Sequence, residues 1–323
     1  MLKLLATACA VLSTALPVVA QEAYPARAIR VVVPYPAGGA TDFVARTLSD
    51  RLSKSMGQPV VVDNKAGAAG AIGASEVARS KADGYTLLMT ITDSQINNTA
   101  LYKTLSYDPR KDFVGIAQIV RSPALISTHP GTQLKSMADL KAKTAAGGSR
   151  LSYGSWGIGG LGHLAGETLN RNLKGGMVHV PQRGEGPVVT DLLSGTIDIG
   201  LSSVASAMQH VGTGKLVPLA VLGRQRSSSL PQVPTLRELG FTDPIYDSNV
   251  WIGLLAPAKV PQPVIARLSR EVRAIVGSPD VAQLFVGRGF EIMNTNPAQF
   301  ATAYRDEFEV ITKRIRELEI EAQ

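Results

Sequence analysis

The sequence predicts an α/β protein of two doubly wound domains, because strands and helices alternate along the chain and the alternation starts twice. Residues 31–33 are three consecutive valines after Ile29, a run typical of a buried parallel strand, and a glycine turn and an amphipathic helix follow them. The same order of strand, glycine turn and helix returns after residue 150. Between the two units, Ser122 and Pro123 interrupt two extended segments, which indicates a crossing between domains.

Length and composition place the chain among globular proteins. Its 323 residues are enough for two domains, and a hydrophobic content of 45% with 18% charged residues argues against disorder. The formal net charge is +7, but the basic residues are scattered and few aromatic residues lie beside them. This pattern gives little support to a nucleic-acid partner and suits a small anionic ligand.

The first 20 residues have the pattern of a cleavable export signal. Lys3 precedes an apolar run over residues 4–16, and Ala20 supplies the small residue before the expected cleavage at Gln21. The apolar run is shorter than the roughly 20 residues that a transmembrane helix needs. Cys9, the only cysteine, lies inside this signal, so the mature chain is expected to contain neither a disulfide nor a thiolate.

The turn after the first strand is the first candidate site. Pro34 and Pro36 end the strand, Gly38 and Gly39 allow a sharp turn, and residue 41 or 42 is expected to cap the following helix. Several amide N–H groups at such a helix start would point at one place and could bind an anion. The alternative is a tight turn with no ligand. The apolar stripe predicted for the helix consists of Val44, Leu48, Leu52 and Met56.

The same unit continues with two more strands, at residues 60–62 and 85–91, and between them a glycine-rich turn over residues 67–73 precedes a helix around residues 75–79. Thr92, Asp93 and Ser94 follow the later strand. Because ligands bind outside the carboxyl ends of parallel strands, these polar residues are expected near the first glycine turn. Asp93 could receive a ligand amine, although a role in a turn or cap is the alternative.

The second unit repeats this organisation and then returns to the first. Residues 247–256 are expected to carry the chain back, and two amphipathic helices to close the fold, the last with an apolar face that runs from Phe300 to Leu318. The predicted division is a signal peptide at residues 1–20, a first domain at 21–122 plus 247–323, and a second domain at 123–246. Two α/β units joined by two crossings predict a clamshell with its ligand between the lobes. The second unit's expected elements are helices at 137–146, 163–171 and 187–193 and strands at 151–153, 177–180, 197–201 and 216–222.

The glycine turn of the second unit matches a dinucleotide-binding pattern, G-x-G-x-x-G, over residues 157–162. That fingerprint also needs an acidic residue about 20 positions further on, at the end of the next strand. The next strand instead leads to Gln182, and no carboxylate stands there. We therefore expect no nicotinamide cofactor, and no cofactor of another kind is indicated.

The sequence around this turn contains no complete pattern of catalytic or metal-binding residues. Ser155 lacks the G-x-S-x-G frame of hydrolases because residue 153 is tyrosine. His163 and Glu167 are four residues apart on a helix, but two ligands do not make a metal site and no H-E-x-x-H pattern occurs. His163 is expected to support the glycine turn. Trp156 could lie in the core, although its place in a glycine turn favours the pocket.

Taken together, these stretches resemble the substrate-binding receptors of tripartite tricarboxylate transporters, the Bug family of periplasmic proteins. The resemblance covers essentially the whole mature chain in order. It implies a type II periplasmic-binding-protein fold, the Venus-flytrap arrangement of two doubly wound α/β domains joined by two crossover strands. The matching runs are VPYPAGGATD at 33–42, GQPVVV at 57–62, ADGYTLL at 82–88, YDP at 107–109, YGS at 153–155, HLAGE at 163–167, HVP at 179–181, LPQVPT at 230–235 and WIGLLAP at 251–257.

The resemblance implies a monomeric receptor in the periplasm that closes on a small organic acid and delivers it to membrane permease subunits. It implies neither an enzyme nor a metal or cofactor. Two alternatives stay open: the same fold could serve as a ligand sensor for a signalling partner, or the chain could be an exported enzyme, which the lack of an assembled catalytic group disfavours.

In this family the carboxylate is held largely by backbone amides, hydroxyls and water rather than by an arginine. The chain departs from the usual pattern at Trp156, Gly160 and Gln182, which makes an aromatic or extended aliphatic acid conceivable. The residues expected to contact the ligand are Ala37, Gly38, Gly39 and Thr41 from the first loop, Asp93 and Ser94 after the third strand, Ser155, Trp156, Gly157 and Gly159 from the second glycine turn, and Gln182 and Ser202.

Overall fold

In the computed structural model, the described residues are 24–145, 151–317 and 319. The predicted signal peptide at residues 1–20, with Cys9, lies outside them. So does Leu318, which the sequence pattern assigns to the last helix. Within the described ranges, the helices are either too short or too polar to cross a membrane.

The strands of the described ranges form two mixed sheets. Their bounds are β1 (Ile29–Val33), β2 (Val60–Asn64), β3 (Thr86–Ile91), β4 (Phe113–Ser122), β5 (Ala124–Thr128), β6 (Ser152–Ser155), β7 (Val178–Pro181), β8 (Ile199–Ser203), β9 (Val217–Val221), β10 (Val250–Pro257) and β11 (Glu291–Ile292). One sheet has the order β11-β4-β10-β3-β1-β2 and the other β7-β6-β8-β5-β9.

Helices cover both sheets. Their bounds are α1 (Ala40–Met56), α2 (Ala71–Ala78), α3 (Asn98–Leu101), α4 (Met137–Ala145), α5 (Leu161–Leu173), α6 (Glu185–Ser194), α7 (Val204–Gly212), α8 (Gln262–Val276), α9 (Pro279–Val286) and α10 (Pro297–Glu317). Lobe 1 denotes the six-stranded sheet with α1–α3 and α8–α10, and lobe 2 the five-stranded sheet with α4–α7. Two sheets, each covered by helices, form the predicted α/β architecture.

The core of lobe 1 follows from the valine run. β1 lies between β2 and β3 and is parallel to both, so its side chains are buried on the two faces of the sheet. The predicted stripe of α1 packs on this sheet: Val44, Leu48 and Leu52 are at most 1% exposed and Met56 is 8% exposed. Hydrophobic periodicity therefore fixes both the helix and the face that it buries.

The chain passes from lobe 1 to lobe 2 at Pro123, between β4 and β5, and returns between β9 and β10. The two crossings lie side by side, because Val250 at the start of β10 pairs with Ser122 at the end of β4. The carbonyl of Pro123 accepts a hydrogen bond from the amide of Val204 in lobe 2. The chain therefore changes sheet between Ser122 and Ala124, and the division into domains at residue 122 stays a prediction.

Several helix boundaries differ from the sequence-based expectation. Neither Thr41 nor Asp42 caps α1: its N-cap is Gly39, and Asp42 instead accepts a hydrogen bond from the amide of Gly38. Helices α5 and α6 begin two residues earlier than predicted, and α2 begins four residues earlier. In each case a glycine stands at the N-cap, so no polar side chain marks the start in the sequence.

The sequence analysis also missed the short elements α3 and β11 and two longer helices, α7 and α9. Helix α7 follows β8 directly, with Ser203 as its cap, so no turn residues separate the strand from the helix. Three helices rather than two follow β10 in the described ranges. The extra one, α9, has only eight residues, too few for a clear helical period.

The packing of α1 predicts the cost of removing a core side chain. Leu48→Ala should lower the free energy of unfolding by about 2–5 kcal/mol, because the cavity in the sheet–helix interface cannot collapse completely. Val310→Ala is the matched control, since Val310 is 56% exposed on α10 and its change should stay within about 0.5 kcal/mol. Urea denaturation measures both. Equal losses in the two variants would contradict this account of the core.

Candidate ligand-binding cleft between the lobes

A cleft of about 860 Å³ lies between the lobes. In lobe 1 it is lined by the turns after β1 and β2, and in lobe 2 by those after β6, β7 and β8. Its remaining wall includes Ser122, Val250 and Ile252 from the crossing strands. The carboxyl ends of strands from both sheets thus face one space, as the topology rule predicts for a ligand site.

The first wall of the cleft is the start of α1. No side chain caps this helix, so the N–H groups of its first turn lack an intrahelical partner. The preceding turn is held by Asp42, whose carboxylate accepts hydrogen bonds from the amide of Gly38 at 2.9 Å and from Arg46 at 2.9 Å. Burial opposes ionisation of Asp42, but the hydrogen bonds from Arg46, Gly38 and Asn64 outweigh it and lower its pKa.

Two helix starts in lobe 2 complete the wall. Gly184, the N-cap of α6, lines the cleft, and no side chain caps this helix either. Ser203 lines the cleft as the N-cap of α7, and its Oγ accepts from the amide of Ser206. The N-terminal ends of three helices therefore lie at one cavity, an arrangement that favours an anion.

Glu185 places one negative charge beside these helix starts. Its carboxylate accepts hydrogen bonds from the amide of Ser203 at 3.1 Å, from Ser203 Oγ at 2.9 Å and from Ser206 Oγ at 2.5 Å. Burial raises the pKa of Glu185 although these hydrogen bonds lower it. The start of α7 thus already holds a carboxylate of the protein itself, which leaves the starts of α1 and α6 for a ligand.

The structure brings together part of the predicted contact set. The predicted residues that line the cleft are Ala37, Gly38, Gly39, Thr41, Trp156, Gly157 and Gln182. Those that do not line it are Asp93, Ser94, Ser155, Gly159 and Ser202. For the residues that line the cleft, contact with a ligand remains a prediction. The other five residues lie inside the lobes or at the contact between them.

Asp93 and Gly159 join the lobes instead of lining the cleft. Asp93 is 4% exposed, and its carboxylate accepts a hydrogen bond from the indole Nε1 of Trp156 at 2.7 Å. Asn97 Nδ2 donates to the carbonyl of Gly159 at 2.9 Å, also from lobe 1 to lobe 2. Burial raises the pKa of Asp93 to about 6, although the hydrogen bond from Trp156 lowers it. A buried carboxylate is thus part of the contact between the lobes.

The hydroxyl of Ser155 forms its hydrogen bonds inside lobe 2. Ser155 is buried, and its Oγ lies 2.8 Å from His179 Nε2 and 3.2 Å from the carbonyl of Gly157. His163 Nδ1 accepts from the amide of Gly159, which is the turn-supporting role expected for His163, and its ring stacks on His179 at 4.1 Å. Burial lowers the pKa of His163 and lowers that of His179 to about 3, so both rings are neutral near pH 7.

The two other predicted hydroxyls are also enclosed. Ser94 Oγ pairs with Thr90 Oγ1 at 2.6 Å, because the chain after β3 turns at once into a short π-helical segment over residues 93–97. Ser202 is 1% exposed, and within the part of the chain that the structure describes its hydroxyl has no hydrogen-bond partner. The rule that ligands bind at the carboxyl ends of strands therefore does not tell which of the side chains that follow a strand turn back into the lobes.

Several residues that line the cleft were not predicted as site residues. Arg183 and Glu185 follow β7, Ser203 ends β8, Ser122 ends β4, and residues 66–70 precede α2. Applying the rule that ligands bind at the carboxyl ends of strands to every strand would have found most of them. Among the described residues, no group of three or more His, Cys, Asp or Glu side chains is placed to hold a metal ion.

Sequence comparison agrees with this architecture. The model of the tripartite tricarboxylate transporter family receptor matches residues 44–320. Protein BugT of Bordetella pertussis is 32% identical over 300 residues, which are 93% of this chain and 91% of the relative. A protein from the tcbD-tcbE intergenic region of a Pseudomonas species is 33% identical over 301 residues, or 93% and 89% of the two chains.

Solved structures with the same two-lobed fold include the periplasmic binding protein BugD, which is 29% identical with a TM-score of 0.86 over 93% of this chain and 100% of that one. An R. palustris protein solved with adipate is 30% identical, with a TM-score of 0.88 and the same coverage. MatC of Rhodopseudomonas palustris, solved with malate, is 28% identical with a TM-score of 0.83 over 90% and 100%. These neighbours are solute-binding receptors, not enzymes, and they confirm the predicted fold class.

The interlobe carboxylate predicts a pH-dependent difference in stability. Because the pKa of Asp93 is about 6 in the fold against 3.8 ordinarily, the folded protein binds the proton more tightly. Stability relative to Asp93→Asn should therefore be highest near pH 4 and fall by about 2–3 kcal/mol as the pH rises through 6. Denaturant unfolding of both proteins between pH 4 and 7 measures this difference.

The control is Asp306→Asn, since Asp306 is exposed on α10. Subtracting the free energies of unfolding of wild type and variant at the same pH removes the contribution of the titratable groups that both proteins contain. A difference between wild type and Asp93→Asn that stays constant from pH 4 to 7 would mean that the carboxylate of Asp93 is not penalised by burial.

Proposed function

The chain belongs to the tripartite tricarboxylate transporter receptor family, and we propose that it captures a small organic acid in the cleft and delivers it to the membrane subunits of such a transporter. The family consists of periplasmic binding proteins, and the export signal expected at residues 1–20 would bring this chain to the periplasm. Two structural neighbours hold adipate and malate, both of which are dicarboxylates. A dicarboxylate is accordingly the first candidate ligand.

One observation carries the proposal: two helices, α1 and α6, start at the cleft without a side-chain cap. Their first N–H groups need acceptors, and a carboxylate oxygen is a strong one. The helix dipoles add an attraction for negative charge at the same place. A neutral ligand could accept the hydrogen bonds but would gain little from the dipoles.

The size of the cleft fits a small ligand with accompanying water. Sites for small molecules commonly measure about 300–1,000 Å³, and this cleft has about 860 Å³. The ligand would touch both lobes, since the lining residues come from both sheets. Binding should therefore favour the closed arrangement of the lobes, which membrane subunits could recognise.

The transport role has its own test. Membrane vesicles that carry the cognate transporter subunits should take up a labelled dicarboxylate only when this receptor is added. Uptake that proceeds equally well without the receptor, or binding without any stimulated uptake, would favour a sensor over a transport receptor.

The anion site predicts a preference for acids over neutral analogues. Calorimetry should detect one adipate or malate per chain, whereas adipamide, which has the same length and no charge, should bind at least tenfold more weakly. Ligand at one hundred times its dissociation constant should stabilise the fold by about 2.7 kcal/mol. Equal affinity for adipate and adipamide would refute the anion site.

A single methyl group added at Gly39 tests whether the ligand binds at the start of α1. Gly39 has an ordinary extended conformation, with φ −81° and ψ 175°, and an added Cβ would meet only the carbonyl oxygen of Pro36, at 3.8 Å. Gly39→Ala should therefore fold normally, while the methyl group occupies space at the start of α1 and lowers adipate affinity about tenfold or more.

Gly212→Ala is the matched control, because a Cβ at this end of α7 would meet nothing within 4 Å and Gly212 does not line the cleft. Calorimetry gives the affinities, and thermal melts of the free proteins show that both variants are folded. Wild-type affinity in Gly39→Ala would remove the start of α1 from the binding site.

A further inference from the structure

Arg183 is a cation on the wall of the cleft whose charge no side chain of the described residues neutralises. The charged side chains that line the cleft within those ranges are Asp42, Arg183 and Glu185. Asp42 is paired with Arg46, and Glu185 is held by Ser203 and Ser206. Arg183 alone of the three forms no ion pair and no side-chain hydrogen bond in the part of the chain that is described.

The neighbours of Arg183 along the chain cannot supply its partner. Glu185 is only two residues away, but its carboxylate turns to the start of α7. Gln182 Nε2 donates to Asp191 Oδ2, so the preceding side chain turns toward α6. The guanidinium group therefore stays exposed at the cleft, with its five N–H donors unused by the protein.

The loop that carries Arg183 approaches the loop that precedes α1. A Cβ built on Gly184 would lie 3.6 Å from Cδ of Pro36, so lobe 2 nearly touches lobe 1 next to Arg183. The uncapped start of α1 begins three residues after Pro36, at Gly39. A short molecule bound at that helix start is thus within reach of the Arg183 loop on the opposite lobe.

A second observation points to a polar occupant of the same cleft. Ser122 lines the cleft and is 3% exposed, and its Oγ has no hydrogen-bond partner among the described residues. A buried hydroxyl without a partner is costly unless a ligand or water supplies one. The cleft wall therefore has unused hydrogen-bonding groups in addition to those of the helix starts.

We infer that Arg183 binds a second anionic group of the ligand, so that the cleft selects dicarboxylates over monocarboxylates of equal length. The inference rests on the proposed function, since it assigns the first carboxylate to the start of α1. It adds that the other carboxylate of the ligand meets the planar guanidinium group of Arg183 from lobe 2, which can donate two parallel hydrogen bonds to the carboxylate oxygens. One ligand would then link the two lobes through its two charges.

The experiment compares adipate with hexanoate, which has the same six carbons and one carboxylate, by calorimetry on the wild type and on Arg183→Gln. The wild type should bind adipate at least about tenfold more tightly than hexanoate. Arg183→Gln should weaken adipate about tenfold and leave hexanoate within twofold, which abolishes the preference. Arg183→Lys should keep part of the preference, because it keeps the charge but not the planar donors.

Arg79→Gln is the control, because Arg79 is an exposed arginine on lobe 1 outside the cleft lining, and it should change neither affinity. Melting curves check that all variants are folded. The inference is overturned if Arg183→Gln leaves adipate affinity unchanged, or if it weakens both acids equally; in both cases the proposed carboxylate site itself would stand. If wild type binds neither acid nor any other carboxylate, the proposed function fails and the inference fails with it.

Discussion

The unsatisfied N–H groups at the starts of α1 and α6 determine the character of the cleft. A helix start needs acceptors, and in this chain glycine occupies the N-cap of both helices and offers none. The start of α7 differs, because Glu185 and Ser203 already satisfy it. The protein therefore supplies its own anion at one helix start and leaves two for a ligand. The loops, their glycines and the opposed sheets all serve to bring these ends together.

The contact between the lobes depends on polar groups that are buried rather than ligand-facing. Trp156 takes part in both functions, since it lines the cleft and donates to the carboxylate of Asp93 across the lobe boundary. The stacked and neutral rings of His163 and His179 hold the turn that carries this tryptophan. Changes in the lobe contact should consequently be felt at the cleft, because the same short loop belongs to both.

Hydrophobic period and glycine turns were sufficient to predict the α/β fold class and two of the loops that line the cleft, those after β1 and β6. β1 and the buried stripe of α1 follow from spacing alone, because burial of an apolar face is a local property of the pattern. Side-chain partners were not predictable in the same way. Ser155 is turned inward by His179, which lies 24 residues away in sequence, and the free charge of Arg183 depends on Glu185 finding another partner. Such pairings are decided by tertiary neighbours that no short motif specifies.

The most direct test of this account follows the amide groups themselves. In a ¹H–¹⁵N spectrum of the protein titrated with adipate, the amides of Gly39, Ala40 and Thr41 should move strongly downfield as they donate to the carboxylate. Amides of the separate groove between β4 and α10, near Phe300 and Tyr304, should stay unchanged. Saturable shifts confined to that groove, with none at the start of α1, would contradict the assignment of the cleft as the anion site.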